Sequence, residues 1–266
     1  MPKATASIPI NEKFSGSFGD TSVYRNRYGQ LIARSKGGPT TKQLKTSRAY
    51  ATTRRNNAEF GGASAAASIL GNAMISVKHL NDFNVHGFYT GLIKVIFGMD
   101  PGVHGSRPVI FSRAKHLLEG VQLNNKNNFD SVIRTPVTFS IDRNQHLAVL
   151  QLPPISPGRN MVSPWNYPYF RFRMNLGIIR DMKFVQGFGY KPMLEDVTGY
   201  TECLDTEWYS VTNPIIGQEV GLKIEEAVFD ETCHLMLSIG IEFGKLVYGK
   251  VMPVKNVGCA KVLGIA

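Results

Sequence analysis

The chain is poor in the features that announce a chemistry. Its 266 residues include only three cysteines, Cys203, Cys233 and Cys259. They are odd in number and widely spaced, with no CxxC and no nearby paired histidines. That pattern excludes a disulfide framework and a zinc site, and the three read as small buried or half-buried strand residues. Gly, Lys or His interrupts every apolar stretch well before the roughly 20 residues a membrane span needs. The opening MPKATASIPINEKFSG has Lys3 but no apolar core of a secretory signal, so a cytoplasmic location is the default expectation. There is no HExxH, no phosphate loop and no G-x-S-x-G. GGPTTK ends in Lys42 without the spacing or preceding strand of a phosphate loop and reads as a turn. The six histidines are scattered singly. His79 and His86 could share a helix face, but seven apart is not the four of a metal pair.

What is present is a folded composition and an uneven charge. With 43% apolar and 19% charged residues the chain can bury a large core, which excludes disorder throughout. Residues 1–55 carry 11 Lys/Arg and 2 Asp/Glu, a net +9, whereas residues 192–242 carry 1 and 11, a net −10. Residues 22–57 contain no acid at all and interleave Arg and Lys with tyrosines. A nucleic-acid binder is usually basic over its docking domain. A chain with opposite patches at its two ends can instead bind itself head to tail.

Three zones follow from periodicity. SFGDTSVYRNRYGQLIARSK predicts a hairpin, with Val23 and Tyr24 entering a turn near Arg27–Gly29 and Leu31 and Ile32 leaving it. A hairpin alone is only marginally stable and must pack on something. From Thr41 to about residue 119 the spacing is helical: Ala66, Ile69, Leu70, Ala73, Met74 and Val77 form one stripe, and Phe88, Leu92, Val95 and Ile96 another, with Gly61–Gly62 expected to separate two helices or kink one. From Gly120 onward short alternating segments separated by Pro, Gly and Asn predict strands, among them one with Phe170, Phe172 and Met174 inward and Arg171 and Arg173 outward. The expected fold is mainly β: an antiparallel β-sandwich over 120–266, preceded by a basic arm or hairpin over 1–40 and a small helical subdomain over 41–119.

The acidic pairs Glu195–Asp196, Asp205–Glu207, Glu225–Glu226 and Asp230–Glu231 fall in expected turns and read as a solvated acidic face. Ca²⁺ binding at such a loop is a lesser reading, without EF-hand spacing to support it. General acid/base work ranks below both, because it needs two carboxyls converging in a cleft. QGFGYK is similar to the core of an RNA-recognition strand, but Pro192 and Met193 replace its continuation, so it reads as a glycine-punctuated strand edge.

Taken in order, SKGGPTTKQLKTS, TRRNNAEFGGAS, HLLEGVQLNN and LSIGIEFGKLVYGK give the chain a resemblance to a family of uncharacterised Bacteroidota proteins. The resemblance implies an all-β C-terminal domain behind a basic helical segment, and it implies no activity.

The functional expectation is a non-enzymatic structural or interaction protein without cofactor or metal. Its partner is expected to be another copy of itself, in a ring, a filament or a virion-like assembly. The residues expected to carry this are Val23, Tyr24, Arg25, Arg27, Leu31, Ile32 and Arg34 in the arm and Glu225, Glu226, Asp230 and Glu231 in the acidic segment. The alternative is a nucleic-acid-associated protein that holds phosphates through Arg25, Arg27, Arg34, Lys36, Arg54 and Arg55. The apolar residues of the arm favour docking on protein.

Overall fold

The computed structural model describes residues 15–35, 37–194, 201–225 and 228–266. The chain divides into two compact units, Met1–Arg54 and Arg55–Ala266. Strand residues exceed helical ones, 39% to 26%, and the named strands pair antiparallel, so the chain is mainly β.

In the first unit, β1 (Gly16–Phe18), β2 (Thr21–Arg25) and β3 (Leu31–Ser35) form a three-stranded sheet, followed by the short helix α1 (Thr41–Thr46). Both local features have local causes. The Asn26 side-chain oxygen accepts the amides of Tyr28 and Gln30, and Gly29 takes the positive φ of +79° that closes the turn. Thr40 caps α1 by accepting the Gln43 amide, while the Gln43 side chain accepts the Thr40 amide, a reciprocal capping box.

The second unit takes in most of α2 (Ala51–Ala73), then α3 (Val85–Met99), the short helices α4 (Lys115–Leu118) and α5 (Phe129–Val132), and, among the described residues, ten strands. These are β4 (Thr138–Asp142), β5 (Leu147–Leu152), β6 (Tyr169–Arg180), β7 (Met182–Val185), β8 (Gly189–Pro192), β9 (Thr201–Asp205), β10 (Tyr209–Ser210), β11 (Gln218–Lys223), β12 (Cys233–Val247) and β13 (Lys250–Ile265). A five-stranded sheet runs β10-β6-β12-β13 with β9 also on β6, a three-stranded sheet runs β11-β5-β4, and β7 and β8 form a hairpin.

The long strand β12 shows why these elements need one another. Every residue from Cys233 to Gly244 is buried, as expected for a strand covered on both faces. Leu235, Leu237, Ile239, Ile241 and Phe243 join a core with Leu150 of β5 and Leu222 of β11. On the opposite parity, Met236 joins a second core built from α2 and α3, with Leu70, Tyr89, Ile93 and Phe97. The helices therefore bury their apolar stripes on the large sheet. Each such large side chain contributes on the order of 1.5–3 kcal/mol by leaving water.

Three helical expectations change. Helix α2 runs through Gly61–Gly62 without interruption; the glycine at 62 serves packing, since the ring of Tyr190 lies 2.5 Å from where its Cβ would be. The buried face of α3 is Val85, Tyr89, Ile93, Ile96 and Phe97, whereas Phe88 and Val95 are exposed. Both faces satisfy helical spacing, and packing on the sheet chose between them. His79 lies in a 3₁₀ turn, Lys78–Leu80, and His86 in α3, so they share no helix face. QGFGYK forms the tip of the β7–β8 hairpin, with Phe188 solvent-exposed. No helix among the described residues is long and apolar enough to cross a membrane.

Candidate functional site

The basic arm is a sheet without a core. Between residues 15 and 54 no described residue is buried. Its register decides which side chains share a face. Val23 opposes Ala33, Arg25 opposes Leu31 and Phe18 opposes Thr21, so Phe18, Val23, Leu31 and Ala33 fall on one face. Tyr24 opposes Ile32 on the other face, with Arg34 diagonal to Tyr24 and its guanidinium 5.6 Å from the ring centre. Val23, Tyr24, Leu31 and Ile32 thus do not form one patch. Phe18, 63% exposed, belongs with Val23 and Leu31 and was missed in the sequence, where its strand is only three residues long.

The arm's arginines are held differently from one another. Arg25 donates to the Gly29 carbonyl at 2.8 Å, and Arg27 lies 4.9 Å over the ring of Tyr28, itself strongly exposed. Arg54 donates to the carbonyls of Leu44 and Ser47, both at 2.8 Å, closing the end of α1, so it is committed to the local fold. Arg55 is exposed, with its backbone against Gly105. Lys36 lies outside the described residues.

The acidic segment is only partly a solvated face. Glu225 is exposed beside Lys223 at 2.9 Å, and Glu231 is exposed. The Asp230 carboxylate accepts the Thr232 hydroxyl and amide, and chiefly the hydroxyl bond holds its pKa below the ordinary value. Glu226, Glu195 and Asp196 lie outside the described residues. Glu242, by contrast, is buried and Asp205 half-buried. Arg171 bridges Asp205 at 3.0 Å and also pairs with Glu242; Arg173 holds Asp205 at 2.8 Å and approaches Glu242 at 3.6 Å; His79 reaches Glu242 at 3.3 Å. The indole of Trp208 lies under the Arg171 guanidinium, 4.7 Å away. Arg171 and Arg173 do leave β6 on the face opposite Phe170 and Phe172, but the neighbouring strands β9 and β12 place carboxylates there instead of water. Burial works to raise the Glu242 pKa, yet hydrogen bonds from His79 and Arg171 and the two guanidinium charges outweigh it and hold the carboxyl below its ordinary value.

Two further buried carboxylates went unassigned in the sequence. Asp181 accepts the Phe111 amide at 2.8 Å and faces His234 at 3.1 Å, tying the β6–β7 junction to the segment before α4. Glu59 is the single acid between Asp20 and Asp82, a signal legible in the sequence. Its carboxylate accepts the Gly105 amide at 2.8 Å and two bonds from Arg107, at 2.8 and 2.7 Å, with His104 at 3.5 Å. Burial again pushes its pKa upward, and the Arg107 and Gly105 hydrogen bonds with the Arg107 and His104 charges bring it below the ordinary value. Arg107 is anchored at its other end, where Tyr190 donates to its carbonyl at 2.9 Å.

Beside Glu59 opens a cleft of about 480 Å³ lined by Asn56, Asn57, Phe60, Lys94 and Arg107. A second cleft, of about 370 Å³, lies where β9 and β10 meet β11, lined by Asp205, Glu207, Tyr209 and Glu219 among others. Among the described residues no group of three or more His, Cys, Asp or Glu could hold a metal ion. No family model, no curated protein and no solved structure matches the chain.

Proposed function

We propose that the protein is a non-enzymatic interaction protein that assembles with copies of itself through its basic N-terminal arm. The observation that carries this reading is that residues 15–54 hold a three-stranded sheet and a capped helix with no buried side chain. Sheets of this size draw their stability from a hydrophobic face packed on something else. The face with Phe18, Val23 and Leu31 is apolar, carries Arg25 beside it and has no acid on its strands. A second copy offers the complementary charge in Glu207, Glu225 and Glu231, all exposed. Apolar burial supplies affinity in such a contact, and charge sets register and rate. A head-to-tail contact of this kind closes into a ring or grows into a filament. The shared core of the five- and three-stranded sheets also supports a sandwich for the body that carries the arm.

A second reading, phosphate binding by the arm, is favoured by one observation: Arg27 and Arg34 each lie over an exposed tyrosine, an arrangement that also suits stacked bases. Sedimentation velocity of the full-length protein before and after nuclease treatment separates the two. Assembly at tens of micromolar that is lost in Val23→Asp/Leu31→Asp, and weakened in Arg25→Glu/Arg27→Glu but partly restored by Glu225→Lys/Glu231→Lys, supports self-association. A monomer at low salt refutes it, and oligomers that vanish on nuclease treatment favour phosphate binding.

A further inference from the structure

The cleft beside Glu59 is built to present cationic and amide donors, and its donors outnumber their partners. Glu59 is buried and spends its carboxylate on Arg107 and the Gly105 amide. Two of the five Arg107 N–H groups are used there, which leaves three without a partner among the described residues on a side chain only 19% exposed. The loop that delivers Arg107 is itself fixed. Gly105 has φ +99° and sits against the Arg55 backbone, where a Cβ would lie 2.9 Å from Arg55 Cα. Tyr190 holds the Arg107 carbonyl from β8.

Across the cleft, Lys94 on α3 has no carboxylate partner among the described residues. Its ammonium is steadied over the ring of Phe60, 5.3 Å from the centre. Phe60 itself is 55% exposed, an isolated aromatic at the wall of a polar cleft. Asn56 and Asn57 add exposed amides that make no other hydrogen bond among the described residues. With Glu59 answered by Arg107, Lys94 leaves the cleft one positive charge in excess.

We propose that this cleft binds a small phosphate-bearing ligand with a planar ring, of the nucleotide class. The phosphate would lie between Lys94 and the free edge of Arg107, and the ring against Phe60. Three terminal phosphate oxygens match the supply of donors better than the two oxygens of a carboxylate, and arginine's planar fork suits such oxyanions. A volume of about 480 Å³ lies within the range of small-molecule sites. The proposal is independent of the assembly reading, since none of these residues belongs to the arm's sheet.

The test is isothermal titration of the full chain at low salt with AMP, adenosine and inorganic phosphate. AMP is expected to bind at micromolar to sub-millimolar concentration, phosphate more weakly and adenosine not measurably. Lys94→Ala should weaken AMP and phosphate about tenfold or more. Phe60→Ala should weaken AMP more than it weakens phosphate. Arg25→Ala/Arg27→Ala in the arm should change neither. A single-stranded oligonucleotide with a 5′-phosphate that outcompetes AMP would assign the phosphate to a nucleic-acid end, and its failure to compete would assign it to a free nucleotide. No binding of AMP or phosphate at millimolar concentration, binding indifferent to Lys94→Ala, or loss on the arm substitution would overturn the proposal.

Discussion

Helix α2 meets strand β6 at backbone distance, and Gly177 is what permits it. A Cβ at Gly177 would lie 2.2 Å from the Ala73 carbonyl oxygen and 2.6 Å from its Cα, both backbone atoms that no rotamer change can move. Ordinary contact begins near 3.4 Å, so Gly177→Ala requires the helix end to shift by about 1 Å. The same shift pulls on Asn175, fully buried, whose amide donates to the Ala73 carbonyl and whose oxygen accepts the Ser76 amide at 3.1 Å and hydroxyl at 2.8 Å. Overpacking costs about 1–3 kcal/mol, and stranding a buried polar group about 1–3 kcal/mol more. The sum is about 2–6 kcal/mol. For a unit of this size each kcal/mol moves the midpoint by about 2–4 °C, so Tm should fall by roughly 4–24 °C. Trp165 and Trp208 both lie in the second unit, and thermal melts followed by tryptophan fluorescence and circular dichroism read this transition. The matched control is Gly61→Ala, where nothing lies within 4 Å, which should gain about 0.5–1 kcal/mol from helix propensity. A Gly177→Ala protein within 1 kcal/mol of wild type would refute the backbone-contact argument.

Glu242→Gln should cost about 2 kcal/mol at neutral pH, since Arg171 and Arg173 keep Asp205 but lose a buried carboxylate. Because the folded Glu242 pKa is depressed, its contribution is present above the ordinary value near 4.5 and is lost as pH falls through the folded value, so the variant's stability should fall less steeply with acid below that point, measured by urea midpoints across pH. Tyr89→Phe should raise stability by about 1 kcal/mol, because the Tyr89 hydroxyl is buried without a partner among the described residues, and a loss above 1 kcal/mol in urea melts would contradict this. With a thiol reagent such as DTNB, the native protein should titrate one cysteine quickly, exposed Cys203, and two more only on unfolding. Burial raises the Cys233 and Cys259 thiol pKa values.

Local chemistry was legible in the amino-acid order. Asn26 and Gly29 make the arm's turn, Thr40 and Gln43 start α1, and the Ala66–Leu70–Ala73 stripe marks the buried side of α2, because turn, cap and stripe depend on residues within a few positions of one another. Alternation likewise marks Phe170, Phe172 and Met174 as core. What the order left open was what lies across from each face. Phe88 and Val95 satisfy helical spacing as well as Tyr89 and Ile93 do, and only the sheet chose between them. Arg171 and Arg173 alternate as solvent-facing residues do, yet Glu242 and Asp205 arrive from β12 and β9 to meet them. Glu59 finds Arg107 across 48 positions and His79 finds Glu242 across 163. Such pairs are set by long-range strand register and helix packing, whose energies belong to the whole chain, so tertiary structure alone brings these buried charges together.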